Sequence, residues 1–222
     1  MSTLRFMTNN FAEVMFLSWE HIWIVGVALL IATPIGVVLG IVITRHDQFA
    51  SRVLNGANVL MTIPSIALFG LMLPVLAIVN MGLGKVPAVI VLVLYSQLPI
   101  IRNTYTAIKN VPPSLVDAAK GMGMDTWKRL REVEIPLATP VIIAGLRTAA
   151  VMNIGIAAIA TYIGAGGLGV YIQQGIARVY PEMILSGAIL VSLLAIIVDG
   201  GMAMLERIAT PEGIKVQRKL SR

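Results

Sequence analysis

Apolar and polar residues in this chain are sorted by segment rather than by single position. Residues 22–43 carry no charge and are long enough to cross a bilayer core of about 20 helical residues, with Pro34 a candidate kink. Within them Gly36 and Gly40 make a G-x-x-x-G face suited to close helix contact. Residues 53–84 are again uncharged, and a second span is expected near 57–79, interrupted by Pro64 and Pro74. A third starts at 86–101 and reaches full length only by running on through Thr104 or Ala107. A fourth is expected over 139–163 and a fifth over 183–205. Ahead of all five, Leu4, Met7, Phe11, Val14, Met15 and Trp19 recur at helical spacing with Thr8, Asn9, Asn10 and Glu13 opposite. Residues 1–20 thus read as an N-terminal interfacial helix or, alternatively, as a disordered start.

Composition agrees that lipid is the solvent. The 222 residues are 57% hydrophobic and 13% charged, with a mean hydropathy of +0.86, where a soluble domain carries roughly a quarter charged residues. The fold class expected is therefore all-α integral membrane, about five transmembrane helices, with residues 21–208 forming the transmembrane domain and 209–222 a basic tail. Charge placement orients it. The 45–52 loop, residues 102–136 and the tail from Arg207 hold 13 of the 17 Lys and Arg. The positive-inside rule then sets the N-terminus outside and the C-terminus in the cytoplasm. The net charge of +6 follows from topology and implies no nucleic acid. With no Cys, and with His21 and His46 isolated at span ends, neither a thiol nucleophile nor a metal site is indicated.

The one charge-rich stretch, DAAKGMGMDTWKRLREVEIPL (117–137), lies between the third and fourth spans, on the cytoplasmic side. Ser114 and Asp117 fit a capping box after Pro112 and Pro113, predicting a helix from Leu115. Leu115, Ala118, Ala119 and Met122 would share its apolar face, and Gly121 and Gly123 would end it. Asp125 or Thr126 would cap a second short helix, which Pro136 would stop. The result is either a rigid helix–turn–helix lever between two spans or a solvated connector. No G-x-x-x-x-G-K-[ST] occurs; GLGK lacks both the first glycine at the right spacing and the hydroxyl residue, so the chain is not its own ATPase and energy for transport must come from elsewhere.

The lever resembles the cytoplasmic loop of permease subunits of binding-protein-dependent ABC importers, E-A-A-x3-G-x9-I-x-L-P. Here it reads Asp117, Ala118, Ala119, Gly123, Val133, Ile135 and Pro136, departing in Asp for Glu, Val for Ile and Ile for Leu. The resemblance implies a coupling helix seated in a cytoplasmic ABC ATPase dimer. It also implies a second permease subunit, identical or related, an extracytoplasmic substrate-binding protein, and residence in a bacterial inner membrane. On that reading the chain is not an enzyme and binds no cofactor, ATP and Mg being held by the partner ATPase. Together with TIPSIALFGLMLP and IGAGGLG, the motifs resemble permeases for osmoprotectants such as glycine betaine, carnitine or choline. Methionine- or phosphonate-type permeases are the alternative. From another class, an ion-coupled secondary transporter or channel would need an internal repeat and midplane acids, for which Asp199 is the lone candidate.

Other residues carry two readings each. GAGGLG matches G-x-G-x-x-G but follows a span on the outer side. Gly164, Gly166, Gly167 and Gly169 are therefore a flexible break near the outer mouth or an ordinary turn. Arg147 and Asp199 lie at similar depth in the last two spans, and either pair to hold an inner gate or snorkel separately. Gln97 and Asn153 line a pathway or bond neighbouring helices.

Overall fold

The computed structural model describes residues 3–210; of the expected basic tail, residues 211–222 lie outside the described residues. Twelve helical pieces follow one another: α1 Thr3–Asn9, α2 Phe11–Ile43, α3 Asp47–Thr62, α4 Ser65–Ala77, α5 Lys85–Lys109, α6 Pro113–Gly121, α7 Thr126–Arg129, a π-turn Leu130–Glu134, α8 Ile135–Ile159, a 3-10 turn Ala160–Ile163, α9 Gly169–Ala177 and α10 Pro181–Ala209. Every backbone polar group in hydrocarbon must be satisfied within its own segment, and helices do this.

Helices α2 and α5, the run from α7 through α8, and α10 are each long and apolar enough to cross a membrane. The second expected span is instead a broken pair, α3 and α4, bent by 98°. Pro64 explains the bend: Ile63 is held extended before the proline and no N–H is available to continue the ladder. The phenol of Tyr95 donates to the freed Ile63 carbonyl. The third span runs to Lys109, as its short apolar core required. The stretch read as an N-terminal interfacial segment divides between α1 and the first turns of α2, which pass residue 20 without a break. At 33 residues α2 is about 50 Å long, well beyond the roughly 30 Å of hydrocarbon.

Helix α5 is the centre of the fold, packed on α2 and α8, with α10 against α8 and α9. Lipid tails are as apolar as leucine, so contact depends on how closely backbones approach. Three glycines set that approach. A Cβ on Gly36 would lie 2.6 Å from the Ile100 side chain, one on Gly40 2.5 Å from Thr104, and one on Gly145 2.6 Å from Asn103. Only glycine fits at these crossings, so the G-x-x-x-G face of α2 is spent on α5. Outward, Leu30, Ile78 and Ile196 stay exposed, as lipid-facing positions should.

Candidate functional site

The 113–136 segment is a bracket at the Lys109 end of the molecule. Helix α6 starts at Pro113, two residues earlier than the capping box predicts, and Ser114 makes no cap. Pro113 has no N–H to satisfy, and the Asp117 carboxylate instead takes Lys120 Nζ at 3.0 Å. The turn after α6 is a full Schellman motif. Met124 N donates to Ala119 O, Gly123 N donates to Lys120 O, and Gly123 sits at φ +76°. Asp125 caps α7, accepting from Lys128 N at 2.8 Å.

Pro136 does not end the second helix. It occupies the first turn of α8, and the π-turn just before it absorbs the missing hydrogen bond, with Ile135 N reaching back five residues to Leu130 O. The wider turn brings residues five apart together, and Arg129 Nε donates to Glu134 Oε1 at 2.7 Å with both side chains nearly buried. Leu130 joins Ala107, Ile108, Ala138 and Ile142 in a core cluster, with Ile135 packed against it. Val133 is half-buried and Pro136 exposed. The base is therefore welded to α5 and α8.

The tip is different. Of the four residues expected to share an apolar face, only Ala119 is buried; Leu115, Ala118 and Met122 are exposed, and so is Trp127. Met122 and Trp127 are each 70% exposed, on a surface that also carries Asp117, Lys120 and Lys128. The bracket thus joins an exposed, partly apolar tip to a base packed on two spanning helices.

Arg147 and Asp199 come together. The guanidinium grips the carboxylate with Nε to Oδ1 at 2.5 Å and Nη2 to Oδ2 at 2.6 Å, the bidentate geometry that gives strength and direction. Arg147 Nη1 also lies 3.6 Å from Glu206, two turns further along α10 on the same face. The separate-snorkelling alternative is not what the structure adopts. Gln97 and Asn153 are buried rather than open. Asn153 Nδ2 donates to Ser96 Oγ at 2.8 Å, bonding α8 to α5, and Gln97 Nε2 turns back to Val93 O on its own helix.

The glycine stretch turns the chain sharply and lies partly inside the fold. Gly164, Gly166 and Gly167 take left-handed φ of +78°, +84° and +84°, and Gly169 begins α9 against Ala158, where a Cβ would meet the carbonyl at 2.1 Å. Ala165, Gly167 and Leu168 are buried. Three charged residues in these contacts were not singled out from the sequence: Arg129, Glu134 and Glu206. A signal existed for Glu134, since an Arg five residues before it and a Pro two after it match a π-turn.

Residues 12–209 match the family described as binding-protein-dependent transport system inner membrane component. The chain belongs to that family. It is an inner-membrane permease subunit of an ABC importer. It is 48% identical over 215 residues to the osmoprotectant import permease protein OsmW of Salmonella typhimurium strain LT2, covering 97% of this chain and all of that one. It is 42% identical to the glycine betaine/carnitine/choline transport system permease protein OpuCB of Bacillus subtilis strain 168, covering 98% of each. Among solved structures, an inward-facing conformation of the MetNI methionine ABC transporter superposes with a TM-score of 0.78 at 24% identity, over 87% of this chain and 94% of that one. At that identity the likeness is one of fold.

Proposed function

We propose that this permease subunit carries a small osmoprotectant, such as glycine betaine, carnitine or choline, into the cell. Two copies, or this chain and a related one, would enclose the path; a binding protein delivers the solute outside, and an ATPase pair hydrolyses ATP with Mg inside. The bracket of Asp117, Ala118, Ala119, Gly123, Val133, Ile135 and Pro136 couples the two. The observation that carries this is its construction, an exposed apolar tip on a base fixed by Arg129–Glu134 and Leu130. ATP-driven closure of the ATPase pair pushes the tip, and α5 and α8 tilt with it.

Only contacts that differ between two states shift their balance. The Arg147–Asp199 pair and Gly164, Gly166, Gly167 and Gly169 are the candidate inner and outer gates on this reading. In the state seen here Asn153 links α8 to α5, while Gln97 bonds within its own helix. The osmoprotectant class is supported by the 48% and 42% identities to permeases of that class across nearly the whole chain.

The test is uptake of radiolabelled glycine betaine into proteoliposomes holding the permease with its ATPase, plus added binding protein. Uptake that requires internal ATP and is not competed by methionine is expected. Uptake driven by an ion gradient without ATP, or competed by methionine, would contradict it.

A further inference from the structure

At the opposite end from the bracket, α2, the glycine loop and the start of α5 meet on one carboxylate. Glu20 Oε1 takes Lys85 Nζ at 2.7 Å, and Glu20 Oε2 accepts from the backbone N–H of Gly167 at 3.3 Å. The seat is built for it: a Cβ on Gly166 would stand 2.4 Å from Glu20 Oε2. A residue with a side chain at 166 would displace the carboxylate, quite apart from the left-handed backbone there. The Glu20 side chain is 14% exposed, so the pair is only partly screened by water.

Three further contacts converge on the same junction. Gly84 N donates to Ile163 O at 2.8 Å, tying the residue before α5 to the turn before the loop. Lys85 Nζ lies 5.6 Å from the Trp23 ring centroid. His21, fully buried, donates Nε2–H to Ile154 O at 3.0 Å and so joins α2 to α8 directly beneath. Helices α2, α5 and α8 can separate at this end only if Glu20 releases Lys85 and Gly167.

We infer that Glu20 is the positioning residue of an outer latch, holding the glycine loop and Lys85 together and so closing the external mouth of the path. This rests on the permease reading above and names what holds its outer gate shut. Opening the mouth exchanges these contacts for water. Weakening them therefore favours the outward-open state, in which the bracket is pushed and the ATPase pair closed. The latch thus predicts a gain rather than a loss: Glu20→Gln, which keeps the shape but loses the charge, raises ATP hydrolysis in the absence of binding protein.

The experiment measures basal ATP hydrolysis by the permease–ATPase complex in proteoliposomes, without binding protein or solute. A rise of roughly two- to fivefold over wild type is expected for Glu20→Gln, the size a partly exposed ion pair carries. Lys85→Met is expected to act in the same direction, and serves as the readout if Glu20→Gln does not assemble. A basal rate equal to or below wild type in an assembled variant complex overturns the latch, since a merely structural role would lower activity. A wild-type complex whose hydrolysis does not respond to binding protein would instead sink the permease reading itself.

Discussion

Gly123 shows what one residue contributes. It ends α6 at a left-handed φ that costs an L-residue about 1–2 kcal/mol, yet a Cβ there would meet nothing within 4 Å. Gly123→Ala should therefore lower thermal stability by only about 1 kcal/mol, since alanine also restricts the unfolded chain. Gly123→Trp should insert and fold much like the alanine variant but lose ATPase association, because the space it fills is the partner's. Co-purification of the ATPase beside a melting curve separates the two effects, and a Trp variant that still copurifies and transports would contradict the coupling role.

At this scale the sequence spoke unevenly. The Asp125 cap and the Gly123 stop were legible because both are local. The Ser114 capping box was not realised, because proline had already removed a donor and Asp117 had Lys120 within reach.

Among the elements, hydropathy located the third, fourth and fifth spans well, since lipid selects length and charge together. It misplaced the start of the first. Glu13, Glu20 and His21 interrupt the apolar run, but Glu20 is matched by Lys85 and Gly167 and His21 by Ile154, partners 65 or more residues away. The π-turn was hidden for a similar reason: proline normally marks a stop, and only a five-residue reach lets the helix continue. The 98° bend between α3 and α4 was signalled by Pro64 in position but not in size.

The Arg147–Asp199 pairing was one of two open readings, and packing decided it. Because the guanidinium is bidentate and directional, reversing one charge should be worse than removing it. Arg147→Glu is expected to abolish coupled uptake, and adding Asp199→Arg to restore part of it, measured as ATP-dependent accumulation at equal membrane expression. No recovery in the exchanged pair would mean that the two helices are held otherwise.

For the molecule as a whole, the two ends of α5 carry opposite machinery. The bracket is welded near Lys109, while the Glu20 junction clasps Lys85, and about 36 Å of helix joins them. Glycine crossings at Gly36, Gly40 and Gly145 hold α2, α5 and α8 too closely to slide independently, so a push at one end is delivered as a tilt at the other. That geometry fits an importer whose motor is a separate protein. The bracket's helix–turn–helix outline was legible from Pro113, Gly123, Asp125 and their neighbours, whereas the exposure of the tip needed the fold.

The chain has no cysteine, so a single introduced thiol reports its own surroundings. Met122→Cys places one on the exposed tip of the bracket. In intact cells and inverted vesicles, a membrane-impermeant maleimide should label it from the cytoplasmic face alone, and the co-expressed ATPase should protect it. Labelling from the external face would leave the bracket no motor to meet and would contradict the account.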